Sequence, residues 1–204
     1  MLTTEPFFTT LLDHLSRDTT MEQLAATLSS TCRKLVLLAI LLAAGCCRVS
    51  VQEYRDEKPE LSVERFFSGK LEAIGIVVEA SGKVVKRFTC DMRGTFDGTQ
   101  LTLEEDFTWS DNTKQKRTWI LKKQPDGTFT GTAADVVGQA KAEVAGNTFH
   151  LTYDLEVPID GSTTVLHVDD WLYLVTESVL INRSKLSKFG IKAAEVILTI
   201  RKLS

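Results

Sequence analysis

The sequence predicts an all-β protein, an up-and-down antiparallel β-barrel of about 8–10 strands, preceded by an N-terminal helical signal segment. Three observations carry this. From about Ser68 to the C-terminus, runs of 8–12 residues alternate apolar and polar side chains, the period of a half-buried strand. Turn pairs punctuate them at Ser81-Gly82, Asp97-Gly98, Asp111-Asn112, Asp126-Gly127, Gly146-Asn147 and Asp160-Gly161. The connections are too short for crossovers, so neighbouring strands are antiparallel, and so many hairpins leave raw edges unless the sheet closes. A two-sheet sandwich is the alternative architecture.

In order, the strands are expected at about 68–79, 83–95, 100–109, 115–124, 128–136, 139–145, 148–157, 163–175, 178–184 and 191–202. Ser62–Phe67 reads as one turn of helix or the lead-in to the first strand. A second short helix is expected around Ser184–Phe189.

Before the barrel lies Leu35–Cys47, LVLLAILLAAGCC, flanked by Arg33 and Lys34. A charged flank, a short apolar run and a small-residue site are the order of a secretory signal. The run is shorter than the ~20 residues that a membrane span needs. Cys46 after Ala43-Ala44-Gly45 turns this into a bacterial lipoprotein signal, in which the Cys46 thiol is acylated and becomes the new N-terminus. Acyl chains, each worth about 0.8 kcal/mol per buried CH₂, then anchor the protein to the bilayer. Cys47, rather than Asp, in the next position directs it to the outer membrane, facing the periplasm. The alternative is an uncleaved apolar helix. Met1–Thr31 is too long and too acidic for the charged region of a signal. Met21 gives a better start, with residues 1–20 a start-site artefact; the alternative is a genuine helix carrying Phe7, Phe8, Leu11, Leu12 and Leu15 on one face. The domains are therefore 1–46 leader and signal, 47–61 a polar tether, and 62–204 the barrel.

The chain has 204 residues, with 24 Lys and Arg against 27 Asp and Glu. Removing the leader takes away Arg17, Arg33 and Lys34, and also Glu5, Asp13, Asp18 and Glu22, leaving a net charge of −2. Such a balance does not point to a nucleic-acid partner. With Cys32 in the leader and Cys46 acylated, Cys90 is alone in the barrel. No disulfide framework or C-x-x-C metal spacing exists, and Cys90, alternating with Phe88 and Met92, reads as a small buried apolar residue.

Residues i, i+2 and i+4 of a strand share a face. Leu101, Leu103, Phe107 and Trp109 make one apolar face, and Phe149, Leu151, Tyr153, Leu155 and Val157 another. Elsewhere charges share faces with aromatics: Arg117 with Trp119 and Leu121; His167 with Asp169, Trp171 and Tyr173; Asp135 with Phe129, Gly131, Ala133 and Val137; Arg183 with Val179 and Ile181. An unpaired charge in a dry core costs several kcal/mol. Arg117, Arg183, Asp135 and Asp169 are matched in number and sign, so they are expected to pair inside or at the mouth of the barrel. The plain reading is internal salt bridges that set strand register. The sharper one is a ligand cavity in which Arg117, Trp119, Asp135, His167, Asp169, Trp171 and Arg183 line or gate the site. Small residues, among them Gly131, Ala133, Ala140 and Ala142, would leave it room.

Catalysis has little support. His167 and Asp169 at i, i+2 form a conceivable base and partner, while His150 falls on the polar face of its strand. No G-x-S-x-G or phosphate-binding glycine loop is present, and no cofactor or metal is expected. Asn182-Arg183-Ser184 matches a glycosylation acceptor without meaning in a bacterial lipoprotein. Lys185, Lys188 and Lys192 form a small basic group at the last hairpin, read as a solvated loop or a contact with membrane headgroups.

The segments FFSGKLEAIGIV, SGKVVKRF, ADVVGQAKAEVAGN, DDWLYL and LINRSKLSKFG, in that order, resemble the bacterial lipoprotein family called domain of unknown function 3833, over about Leu61–Lys202. Ile74 stands where that family's pattern has an aromatic before Gly75, and Phe96 where Trp is common. The resemblance implies an envelope lipoprotein with a calycin-like or lipocalin-like barrel, and it brings no activity and no site residues. The Gly-x-Trp start of lipocalins is absent, so lipocalin function is an analogy.

Two functions follow as expectations. One is an envelope lipoprotein that binds or carries a hydrophobic or amphipathic small molecule. The other is a structural adaptor with a filled barrel that contacts another envelope protein. Its expected partners are the bilayer, through acyl chains, and a lipid-like ligand. An interior cavity of about 300 Å³ or more favours binding, and a barrel packed solid favours the adaptor.

Overall fold

The computed structural model describes residues 49–159 and 161–203, and the backbone alone at Ile159. The predicted signal segment, Cys46 and the alternative starts lie outside the described residues. Residues 50–204 form one compact unit.

Ten strands close into a barrel. They are β1 Gly69–Glu79, β2 Val84–Phe96, β3 Gln100–Trp109, β4 Lys114–Lys123, β5 Phe129–Thr132, β6 Val136–Ala145, β7 Thr148–Ile159, β8 Ser162–Thr176, β9 Val179–Lys188 and β10 Ile191–Lys202. Each pairs antiparallel with the next, and β1 pairs with β10 to seal the sheet, from Leu71 opposite Lys202 to Glu79 opposite Ala194. The predicted fold class is therefore the observed one, and closure leaves no open edge.

Five of the six predicted turns form as their residues require; Asp160 of the sixth, Asp160-Gly161, lies outside the described residues. Asp97, Asp111 and Asp126 each accept bonds through Oδ1 from both the backbone N–H and the hydroxyl of the threonine two residues on, at 2.5–3.0 Å. This is the Asx turn that lets a short polar side chain hold the chain reversal.

Two boundaries differ from expectation. The fifth strand ends at Thr132, because residues 133–135 leave the ladder and bring Asp135 inward; Val136 N–H closes this turn onto the Ala133 carbonyl at 3.1 Å. The ninth strand runs on to Lys188, where a helix was expected at Ser184–Phe189. Its inward face is Leu180, Asn182, Ser184 and Leu186, all buried. The two buried polar residues break the apolar alternation that would have marked it as a strand.

One end of the barrel is plugged by the helix α1, Val63–Phe67. Ser62 caps it, accepting from Arg65 N–H at 3.3 Å, and Val63, Phe66 and Phe67 at i, i+3 and i+4 are all buried. Lys202 Nζ donates to the Arg65, Phe66 and Ser68 carbonyls at 2.7, 2.9 and 2.5 Å, tying the helix end to the last strand. Gly94 on β2 makes this possible. A Cβ there would stand 1.7 Å from the Phe67 carbonyl oxygen.

The segment expected as a polar tether is docked on the outer wall. Val51–Tyr54 forms a 3-10 turn with a capping box between Ser50 and Glu53, and Val51 is buried. Leu61 N–H donates to the Gly146 carbonyl at 2.8 Å. Gly146 has a positive φ, and a Cβ on it would meet the Tyr54 carbonyl oxygen at 1.8 Å. The Tyr54 ring lies 5.6 Å from Tyr173 and 6.1 Å from Trp171.

Candidate ligand cavity

The inward faces of the strands do not fill the barrel. They enclose a cavity of about 950 Å³. Its floor is Phe67, Phe149 and Leu121, all buried. Its walls are largely apolar, with Phe88, Phe107 and Trp109 clustered at centroid distances of 5.1–6.0 Å. Towards the other end it is lined by the exposed residues Val85, Thr113, Lys114, Gln115, Glu156 and Pro158. The cavity therefore opens at the end bearing the β1–β2, β3–β4, β5–β6, β7–β8 and β9–β10 turns, opposite α1.

A polar cluster interrupts the apolar wall about midway along the barrel. Arg117 donates through Nη2 at 2.6 Å and Nε at 3.1 Å to a single oxygen, Oδ2, of Asp135. Its guanidinium also lies over the Trp119 ring, 5.8 Å from the centroid. Glu105 stands directly opposite Arg117 in the β3–β4 pairing. Across the interior, Asp170 accepts from Ser184 Oγ at 2.7 Å, from Asn182 Nδ2, and from Tyr153 Oη at 3.4 Å. Tyr153 in turn packs edge-on against Trp119 at 5.2 Å.

Burial dominates the electrostatics here. It pushes Glu105 up to about 7, even though Arg117 pulls it down. Burial also raises Asp170 above the ordinary carboxylate range, against the bonds from Ser184 and Asn182. For Arg117 burial works against the charge, but Glu105, Tyr153 and Asp135 more than offset it, so the guanidinium stays ionised. Two buried acceptors, Glu105 Oε2 and Asp135 Oδ1, have no protein partner among the described residues. An apolar pocket with a few converging polar groups can hold the chain of an amphipathic molecule against its walls and its head against the cluster.

Of the seven residues expected at the site, the structure brings three together. Arg117, Trp119 and Asp135 all line the cavity. The other four lie on the outer wall, because β8 and β9 present their alternate faces inward. His167 is exposed and bonds Asp154 at 3.0 Å. Asp169 accepts from Trp171 Nε1 at 3.0 Å and lies 2.6 Å from His150 Nε2. His167 and Asp169 therefore do not form the base and partner pair that their spacing allowed. Trp171 stacks on the His150 ring at 3.9 Å. Arg183 is exposed and pairs with Glu195, which also takes Lys192 at 2.6 Å. Their place inside is taken by Asp170, Asn182 and Ser184.

Glu105 and Asp170 were legible by the same alternation. Glu105 sits between Leu103 and Phe107, and Asp170 between Val168 and Leu172. On β8 the choice of face was ambiguous, since the outward stripe carries Trp171 and Tyr173. The docked Tyr54 explains why aromatics stand outside. Cys90 is buried beside Phe88 and Met92, as expected, and burial holds its thiol well above the ordinary range. Among the described residues, no group of three or more His, Cys, Asp or Glu is placed to hold a metal ion.

A family model described as "Protein of unknown function (DUF3833)" matches residues 40–202. No curated protein matches the chain in sequence. Among solved structures, the barrel is similar to the S-type phycobiliprotein lyase CPES from Guillardia theta, with a TM-score of 0.51 at 12% identity, covering 71% of this chain and 94% of that one. A redesigned β-barrel, mFAP0, solved bound to DFHBI, matches with a TM-score of 0.38 at 12% identity over 67% of this chain and 99% of that one. At such identity the first likeness concerns the fold alone.

Proposed function

The chain belongs to the DUF3833 family of proteins of unknown function, and we propose that it is an envelope lipoprotein whose barrel binds a hydrophobic or amphipathic small molecule. The cavity carries this reading. At about 950 Å³ it is three times the volume that separates a binding barrel from a filled one, and it reaches exposed residues at one end only. The apolar walls would take the ligand's chain, and Arg117 and Asp135 its polar end. The anchor would be the acylated Cys46, holding the barrel on the periplasmic side of the outer membrane. The LVLLAILLAAGCC run supports that placement, together with the short polar passage to the barrel.

Native mass spectrometry of the full-length protein, extracted gently from the membrane fraction, tests both parts. Binding predicts a co-purified lipid-sized mass that is diminished in Leu151→Trp, whose larger ring narrows the cavity. A clean apo mass, with no shift when fatty acids or phospholipids are added, overturns it. The anchor predicts an N-terminal peptide that starts at acylated Cys46, and an intact Met1 or Met21 terminus rejects it.

A further inference from the structure

The mouth of the barrel is electrically divided. Three of its hairpin tips lie side by side: residues 187–192 between β9 and β10, 79–87 between β1 and β2, and 110–116 between β3 and β4. Ala80 N–H donates to the Ala193 carbonyl at 3.2 Å, and Ser110 N–H to the Arg87 carbonyl at 2.9 Å. These tips hold seven Lys and Arg against two acidic residues, in a chain whose net charge is −3. The two remaining tips at this end, 132–138 and 156–163, have no basic residue. Among the described residues, Lys83, Arg87, Lys114 and Lys188 have no carboxylate partner, whereas Lys86, Lys116 and Lys192 are paired with Asp111, Asp106 and Glu195.

The basic half of the rim also carries exposed apolar side chains. Phe189 is 93% exposed and Ile191 75%, with Val84 and Val85 nearly half exposed on the adjoining tip. Phe189 has φ 52°, a left-handed conformation that Gly or Asn adopts more readily. The turn therefore does not need a phenylalanine, and the barrel interior gains nothing from its ring. The ring's one neighbour of note is the Lys188 ammonium, 5.8 Å from its centroid.

We propose that this half of the rim docks on the surface of an anionic lipid bilayer, with Phe189 and Ile191 entering the interface and the surrounding lysines meeting the headgroups. Protruding aromatic and aliphatic side chains framed by unpaired cations match a surface with apolar depth and negative charge. A protein partner with an acidic face would satisfy the lysines but would not require the phenylalanine to stand so far out. The inference deepens the binding reading, because docking would set the cavity mouth against the source of an amphipathic ligand.

Hydrogen–deuterium exchange of the full-length protein, resolved by peptide, tests it with vesicles of phosphatidylglycerol and phosphatidylcholine in equal parts and with vesicles of phosphatidylcholine alone. The expected result is exchange about three-fold or more slower at 79–87 and 187–192 with the anionic vesicles only. The turns at 97–99 and 124–128, at the opposite end, stay unchanged. Phe189→Ser with Ile191→Ser, and separately Lys83→Glu with Lys114→Glu and Lys188→Glu, each abolish the slowing. Unchanged exchange at the tips, equal slowing at both ends, equal slowing by phosphatidylcholine, or slowing that survives the substitutions overturns it. Failure of the cavity reading shows instead as a clean apo mass and leaves tip protection untouched.

Discussion

The Arg117 guanidinium gives two bonds, at 2.6 and 3.1 Å, to one oxygen of Asp135, and the second oxygen of that carboxylate is buried with no protein partner among the described residues. The same guanidinium is the opposing charge for Glu105, opposite it in the β3–β4 pairing, and for Asp170. Removing one member of a buried ion pair leaves the others uncompensated.

Arg117→Met is therefore expected to cost about 2–3 kcal/mol at pH 7.5, somewhat below the value for a fully buried pair because both side chains keep some exposure. Urea unfolding measures it. Asp135→Asn in the same chain should recover part of the loss, which a merely steric effect of the methionine would not allow.

Glu105 makes stability depend on pH. Burial raises its folded-state pKa to about 7 from an ordinary 4.5, so folding favours the protonated form. Its contribution is complete below about pH 4.5, declines as pH rises, and is lost above about pH 7. The span corresponds to about 3 kcal/mol, and the raised Asp170 adds in the same direction. The melting temperature should fall between pH 5 and pH 8. Glu105→Gln should flatten that fall and melt higher than the parent at pH 8. An identical slope in the variant would show that the titration lies elsewhere.

Gly94→Ala tests how the closed end is made. Its new Cβ would stand 1.7 Å from the Phe67 carbonyl oxygen, an atom of the backbone that cannot move without lifting α1 off the barrel. The expected cost is about 2–3 kcal/mol. Thr95→Ala, on the next residue with its side chain outside, should cost under about 0.5 kcal/mol. Thermal melts of the two variants side by side give the answer.

Tyr54→Ala should loosen the docked N-terminal segment. The Tyr54 ring covers Trp171 and Tyr173 at 6.1 and 5.6 Å. Its loss is expected to cost about 1–2 kcal/mol and to red-shift the Trp171 emission. Because this contact is outside the barrel, ligand retention should be unchanged. A ligand lost along with the contact would tie the outer wall to the cavity.

The strand assignment was readable because alternation and turn chemistry act locally. Asp97, Asp111 and Asp126 hold their turns through the threonine two residues on, whatever the rest of the chain does. The same rule placed Arg117 and Trp119 on one face with Leu121. Asp135 was assigned to the interior, but the turn at 133–135 that delivers it there was not foreseen. On β8 both faces offer apolar and charged residues, so a one-residue choice of parity moved His167, Asp169 and Trp171 from the expected interior to the outer wall.

The order of polar and apolar residues, on its own, determined an all-β chain of about 8–10 antiparallel strands and their turns, and favoured a closed barrel over a two-sheet sandwich. Tertiary structure decided which face of β8 and β9 points inward, that Glu105 and Asp170 join Arg117, and that the centre stays open. The reason is range. Alternation and Asx turns are settled within a few residues, whereas the inward face of a two-sided strand depends on what covers the other side. Here that cover is Tyr54, more than a hundred residues away in the chain, and the hollow depends on how ten separate strands share one interior.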